Sequence, residues 1–140
     1  MKAYLKQIKG ISFAAKGDSN HWVVLDGSEQ FGGSNAGTRP MEMILLSLAG
    51  CTGADVVSIL QKRRVDLQDF EIDIDAERAD SHPKVYTKIH LHYKFHGKNL
   101  KPSDIEMAVD LSQKKYCSVT AMLEKTAEIT TDYEIIAVDG

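Results

Sequence analysis

Two cysteines carry the chemistry available to this chain. Cys51 lies inside the most apolar stretch, P-M-E-M-I-L-L-S-L-A-G-C-T-G-A-D-V-V-S-I-L. Cys117 opens a second amphipathic segment, Y-C-S-V-T-A-M-L. Either thiol alone also reads as a small buried hydrophobe. Two thiols, each at the head or heart of a predicted helix, point to a pair that meets in the fold and works by redox chemistry. A thiol reacts as its thiolate, and only where its surroundings favour that form or admit a substrate. Gly50 and Gly53 flank Cys51, and small residues there let another backbone approach, leaving a narrow space above the sulfur. Asp55, four residues on, shares the helix face of Cys51. A carboxylate in so apolar a helix needs a partner. It also disfavours a thiolate beside it, so a reactive Cys51 needs a cation. Arg39, just ahead of the helix, is the nearest arginine in sequence.

Other chemistry is less well supported. His90 and His92 share one strand face, a spacing some metal sites use, but no cysteine or carboxylate motif accompanies them, and a solvated face is the better reading. The glycine-rich run 32–37 lacks the G-K-[ST] ending of a phosphate loop. No Ser-His-Asp arrangement is readable. Trp22 is read as core or interface.

The elements that must position the thiols follow from periodicity. Residues 2–14 alternate loosely and predict one edge strand, and His21–Asp26 a short second strand. Residues 27–38 carry four glycines and form a loop of a length that is often functional. Pro40 suits a first helical position. The helix it opens runs to about Arg64, roughly 36 Å at 1.5 Å per residue. It is apolar nearly all round, as a central helix buried on several sides would be, and a second subunit would most easily complete that burial. Phe70 to Glu77 and Val85 to His96 alternate with period two and predict a hairpin with one buried face, turned at Asp80-Ser81-His82-Pro83. Ser103 and Glu106 read as a capping box opening a helix to about Lys115. A second helix holds Cys117 to Lys125, and Ile129 to Val138 forms the last strand.

Composition bounds the rest. With 140 residues and 43% hydrophobic content, one domain, 1–140, with its own core is expected. The net charge is -3 with mixed signs, which argues against a nucleic-acid partner. The N-terminus lacks the apolar run of a secretory signal. The 12 uncharged residues between Glu42 and Asp55 are short for a bilayer span, so no membrane partner is expected. A cytoplasmic location is expected, where thiols are kept reduced.

The run T-R-P-M-E-M-I-L-L-S-L-A-G-C-T, with proline opening a long helix eleven residues ahead of a cysteine, resembles the OsmC/Ohr family of osmotically inducible and organic hydroperoxide resistance proteins. So does K-Y-C-S-V-T-A-M-L-E-K, followed by the closing strand A-E-I-T-T-D-Y-E-I. The resemblance spans about residues 20–137 and looks like a less characterised OsmC-like subgroup. It implies an α+β fold, with antiparallel sheets wrapping a long central helix in an intertwined homodimer whose active site lies at the subunit interface. It implies thiol-dependent peroxidase chemistry on hydroperoxides, here organic ones; no cofactor and no metal are expected. Carried over, Cys51 would be the peroxidatic thiolate and Cys117 the resolving thiol, forming an intramolecular disulfide that an external dithiol reductant resets. The archetypes place a glutamate directly after the proline, where it holds a catalytic arginine. Here Met41 stands there and Glu42 follows, nine positions and half a helical turn of phase from Cys51. Arg39 and Glu42 are the candidates for those two roles. Met41, Leu45 and Leu48 are expected to form an apolar wall favouring alkyl hydroperoxides over hydrogen peroxide. The alternative reading is a redox-sensing or apolar-ligand-binding dimer of the same fold.

Overall fold

The computed structural model describes residues 1–139, and the chain gathers into two compact units, Met1–Leu46 and the remainder from Ser47. In the first unit, residues 2–14 do not make one strand. They make most of a hairpin, β1 (Ala3–Lys9) and β2 (Ser12–Gly17), paired antiparallel. The turn rests on Gly10, whose φ of +56° is the left-handed region that glycine enters at little cost. β3 (Val23–Leu25) adds to the far side of β2 and is shorter than the predicted strand. Trp22 is exposed rather than core; it stands edge-on to Tyr4, with the Lys16 ammonium 4.8 Å above its ring.

The glycine-rich loop folds around one carboxylate. Asp26 is fully buried and accepts N–H bonds from Gly27 (2.7 Å), Ser34 (3.2 Å) and Ala36 (3.0 Å). Burial alone would raise its pKa, but the N–H donors of Ala36, Gly27 and Ser34 and the Ser12 hydroxyl outweigh this and hold it at about 2. Gly33 and Gly37 are required by close approach, since a Cβ would collide with the carbonyls of Gly27 and Val24 respectively.

α1 (Pro40–Lys62) begins at the proline as expected and stops two residues early, where Arg64 turns left-handed at φ +59°. By length and composition it could cross a membrane, a test that core helices also pass. In the second unit Leu48, Thr52, Val56 and Leu60 form a fully buried stripe at four-residue spacing.

That stripe meets a three-stranded sheet of β4 (Leu67–Arg78), β5 (Tyr86–Gly97) and β6 (Glu128–Ala137). The hairpin register pairs Phe70 with Phe95 and Ile72 with Tyr93, keeping Ile89, Leu91, Tyr93 and Phe95 fully buried. β5 and β6 run parallel, so this sheet is mixed where the resemblance implied antiparallel sheets. Parallel neighbours need a crossover, and α2 (Pro102–Leu111) with α3 (Ser118–Leu123) supplies it. The predicted capping box at Ser103 does not form. Lys101 is the N-cap, because Pro102 starts the helix two residues earlier than a Ser103 cap would, and the Glu106 carboxylate accepts the Tyr133 hydroxyl at 2.7 Å instead. The expected continuation to Lys115 is a π-helical turn, Ser112–Tyr116, closed by the Cys117 N–H to the Ser112 carbonyl at 2.8 Å.

Candidate active site

The two cysteines and Asp55 meet inside the second unit. The sulfurs of Cys51 and Cys117 and a carboxylate oxygen of Asp55 all lie within 4.8 Å of one another. Cys51 and Asp55 come from one face of α1, one turn apart, as their spacing predicted. Cys117 arrives from the crossover as the N-cap of α3, where its sulfur accepts the Thr120 N–H at 3.4 Å. The π turn directly ahead of it adds a residue to the helical turn and so re-aims the chain, a device common at functional sites. Both thiols are free; Cys51 is half-buried and Cys117 buried. Burial pushes the Cys117 thiol above its usual value; the hydroxyl and N–H of Thr120 offset this in part, and the neighbouring Cys51 adds to it.

Of the glycines beside Cys51, neither is approached by a second backbone of this chain. Gly53 meets the side chains of Phe70 and Ile72 at van der Waals range, and Gly50 faces open space. The partner that Asp55 requires is a neutral donor: Ser112 Oγ donates to it at 3.0 Å, and among the described residues Asp55 makes no ion pair. Behind Ser112 runs a buried relay. Thr52 Oγ1 lies 2.7 Å from Ser112 Oγ and 2.8 Å from the Tyr93 hydroxyl. Gln113 Nε2 donates to both Thr52 and Tyr93, and its Oε1 faces the Thr120 hydroxyl at 3.4 Å. Because Ser112 spends its proton on Asp55, Thr52 must donate to Ser112 and Tyr93 to Thr52. Every donor in the chain therefore points toward the carboxylate. Burial raises the Tyr93 pKa, which keeps that phenol protonated as the chain requires.

Sequence reasoning missed these supporting residues. Thr52 alone carried a signal, as a hydroxyl at a four-residue step within an otherwise apolar stripe. Ser112, Gln113 and Thr120 depend on the π turn, which periodicity does not reveal.

Arg39 and Glu42 sit together in the first unit. The Arg39 guanidinium donates to Asn35 Oδ1 (2.7 Å) and the Gly37 carbonyl (3.1 Å), and its backbone N–H donates to the Glu42 carboxylate (3.1 Å). This last contact is the backward half of a capping box at the start of α1. Leu48 is fully buried in the second unit, so it cannot belong to an open apolar wall. A groove of about 680 Å³ opens instead where Asp55, Ala54 and Ile59 of α1 face Met107, Leu111 and Tyr116. On the outer face of the sheet, His90 and His92 both bond Asp132 Oδ1, at 2.8 and 2.7 Å.

The chain as a whole has relatives among known proteins. The family model described as OsmC-like protein matches residues 32–132. The chain is 43% identical over 137 residues to protein YhfA of Escherichia coli, covering 98% of this chain and 99% of that protein. A crystal structure of a hypothetical protein from Aquifex aeolicus is 29% identical, covers 99% of this chain and 97% of that one, and superposes with a TM-score of 0.87. An organic hydroperoxide resistance protein OsmC from Legionella pneumophila shares the fold at 13% identity and a TM-score of 0.66, over 98% of this chain and 96% of that one.

Proposed function

Because this chain belongs to the OsmC-like protein family, we propose that it is a thiol-dependent peroxidase that reduces organic hydroperoxides through Cys51 and Cys117. The observation that carries this reading is the meeting of two free thiols and one carboxylate within 4.8 Å. The more accessible Cys51 attacks one oxygen of the hydroperoxide, the O–O bond breaks, and an alcohol leaves as Cys51 becomes a sulfenic acid. Cys117, held in reserve by its burial, attacks that sulfur. Water leaves and the intramolecular disulfide forms, so two thiols and one hydroperoxide yield a disulfide, an alcohol and water. A dithiol reductant restores the pair by exchange. Asp55, held by Ser112, stands close enough to both sulfurs to take and return the proton. The groove beside Asp55 offers apolar surface to an alkyl chain, which supports an organic substrate.

Arg39 is proposed as the cation for Cys51 and Glu42 as the residue that fixes Arg39 through its backbone. A homodimer in the cytoplasm is part of the same proposal. It is supported by the apolar side chains each unit leaves uncovered, among them Leu5, Ile8, Val23 and Phe31 in the first and Met122 in the second. The test is turnover of an alkyl hydroperoxide against hydrogen peroxide with a dithiol reductant. The expected result is preference for the alkyl substrate, no consumption by Cys51→Ser, and a single turnover by Cys117→Ser. Equal residual activity in the two variants would count against the assigned roles.

A further inference from the structure

We propose that the reduced protein holds a thiophilic divalent metal ion of the zinc class on Cys51 Sγ, Cys117 Sγ and an Asp55 oxygen, with water in the fourth position. The inference deepens the reading of the same thiols, but metal binding itself does not require peroxidase activity. Three donors meet here from two separate elements. In a tetrahedral zinc site with Zn–S near 2.3 Å, neighbouring donors stand about 3.7 Å apart. Atoms already within 4.8 Å reach that arrangement by small side-chain rotations.

The donor set suits the ion. Two sulfurs select a soft or borderline metal over magnesium or calcium, and three protein ligands with one open place form a recognised zinc geometry. The groups behind the donors are those a metal site needs. Ser112 fixes Asp55, with Thr52 and Tyr93 behind it, and the Thr120 N–H fixes Cys117. Charge argues the same way. Once deprotonated, two thiolates and a carboxylate this close would repel one another, and among the described residues no lysine or arginine pairs with Asp55. A dication offsets that repulsion. Half-buried Cys51 and Asp55 leave a way in. Binding exchanges protons for metal: two thiols and one dication give a dithiolate complex and two released protons. A hydroperoxide with two protons would then oxidise the dithiolate complex, the O–O bond taking its two electrons, and give disulfide, alcohol, water and the freed dication.

A rival cluster, Asp69, Glu71 and His96, lies on the outer face of β4 and β5, without sulfur. The two are separable by titrating reduced full-length protein with cobalt(II) and cadmium(II) and following absorption. One equivalent should give thiolate-to-metal charge-transfer bands and the visible bands of tetrahedral cobalt. Prior alkylation of wild-type protein should abolish both, which needs no mutation. Cys51→Ser and Cys117→Ser should each lose most of the charge-transfer intensity. Asp55→Asn should weaken binding by at least ~10-fold, with circular dichroism confirming the fold. His96→Gln should leave the sulfur bands unchanged. Binding that survives alkylation and is lost in His96→Gln would overturn the proposal, as would the absence of charge-transfer bands in reduced wild-type protein. Hydroperoxide turnover of metal-free protein is read separately. Metal binding without turnover removes the peroxidase reading and leaves the site standing, and turnover without metal binding does the reverse.

Discussion

Cys51 and Cys117 stand 66 positions apart in the chain and share one site because each is locked by a different local device. Cys51 is carried by α1 in phase with Asp55, and Cys117 is aimed by the π turn and capped into α3. Arg39 is the residue whose proposed role most needs a separate test, since its guanidinium already bonds Asn35 and the Gly37 carbonyl. Arg39→Ala is expected to slow iodoacetamide alkylation of Cys51 at neutral pH. An unchanged rate, with faster proteolysis of the loop at 27–38, would assign the guanidinium to holding that loop alone. His92 offers a prediction in pH. Its hydrogen bond to Asp132 raises its pKa, and the same bond, with that from His90, lowers the pKa of Asp132. The His92 contribution is therefore complete below about pH 6.5 and fades as pH rises through its higher folded value. The Asp132 contribution is complete above about pH 4 and fades as pH falls through its lower folded value. The pair should be strongest between those limits. Proton NMR should find the His92 midpoint above 6.5, and Asp132→Asn should bring it down. The groups are exposed, so the effect on global stability is small.

At the scale of elements, α1 does two things on one stripe. Leu48, Val56 and Leu60 bury apolar surface, while Thr52 interrupts them with a hydroxyl that β5 and the crossover both use. A valine in its place keeps the volume but leaves the Tyr93 and Ser112 hydroxyls short of a partner in a dry interior. Thr52→Val should destabilise the protein by about 1–3 kcal/mol in chemical denaturation. It should also disturb Asp55, because Ser112 loses the neighbour that fixes its proton. A variant as stable as wild type would show that the relay carries no stability. Much of this element-scale picture was legible beforehand. The period-two runs predicted β4 and β5 with their buried faces, and Pro40 marked the start of α1. Gly10 and Ile11, inside a loose alternation, concealed the β1–β2 turn. Pro102 displaced the capping box that Ser103 and Glu106 spell, since a proline at the first helical position outranks a serine after it.

For the whole molecule, the apolar surface left by a single chain is the fact to explain. β1 is exposed along its entire length, and Leu46 of α1 is 56% exposed. Surface of this kind in a stable protein is covered by something. A second copy is the proposed cover, and sedimentation equilibrium should return twice the chain mass at micromolar concentration. A monomer at that concentration would remove the dimer from the proposal.

The sequence by itself determined the family, the α+β class and the long helix, and it singled out the two thiols to which the proposed chemistry is assigned. These rest on local pattern, which periodicity and a distinctive spacing express directly. It also placed Asp55 beside Cys51, because four residues along a helix is a local distance. Only the tertiary structure decided that Cys117 closes on both, that Ser112 rather than a cation satisfies Asp55, and that β6 returns parallel to β5. Those depend on a crossover and a π turn, where one residue more or less redirects every side chain that follows, and no short-range pattern records that choice.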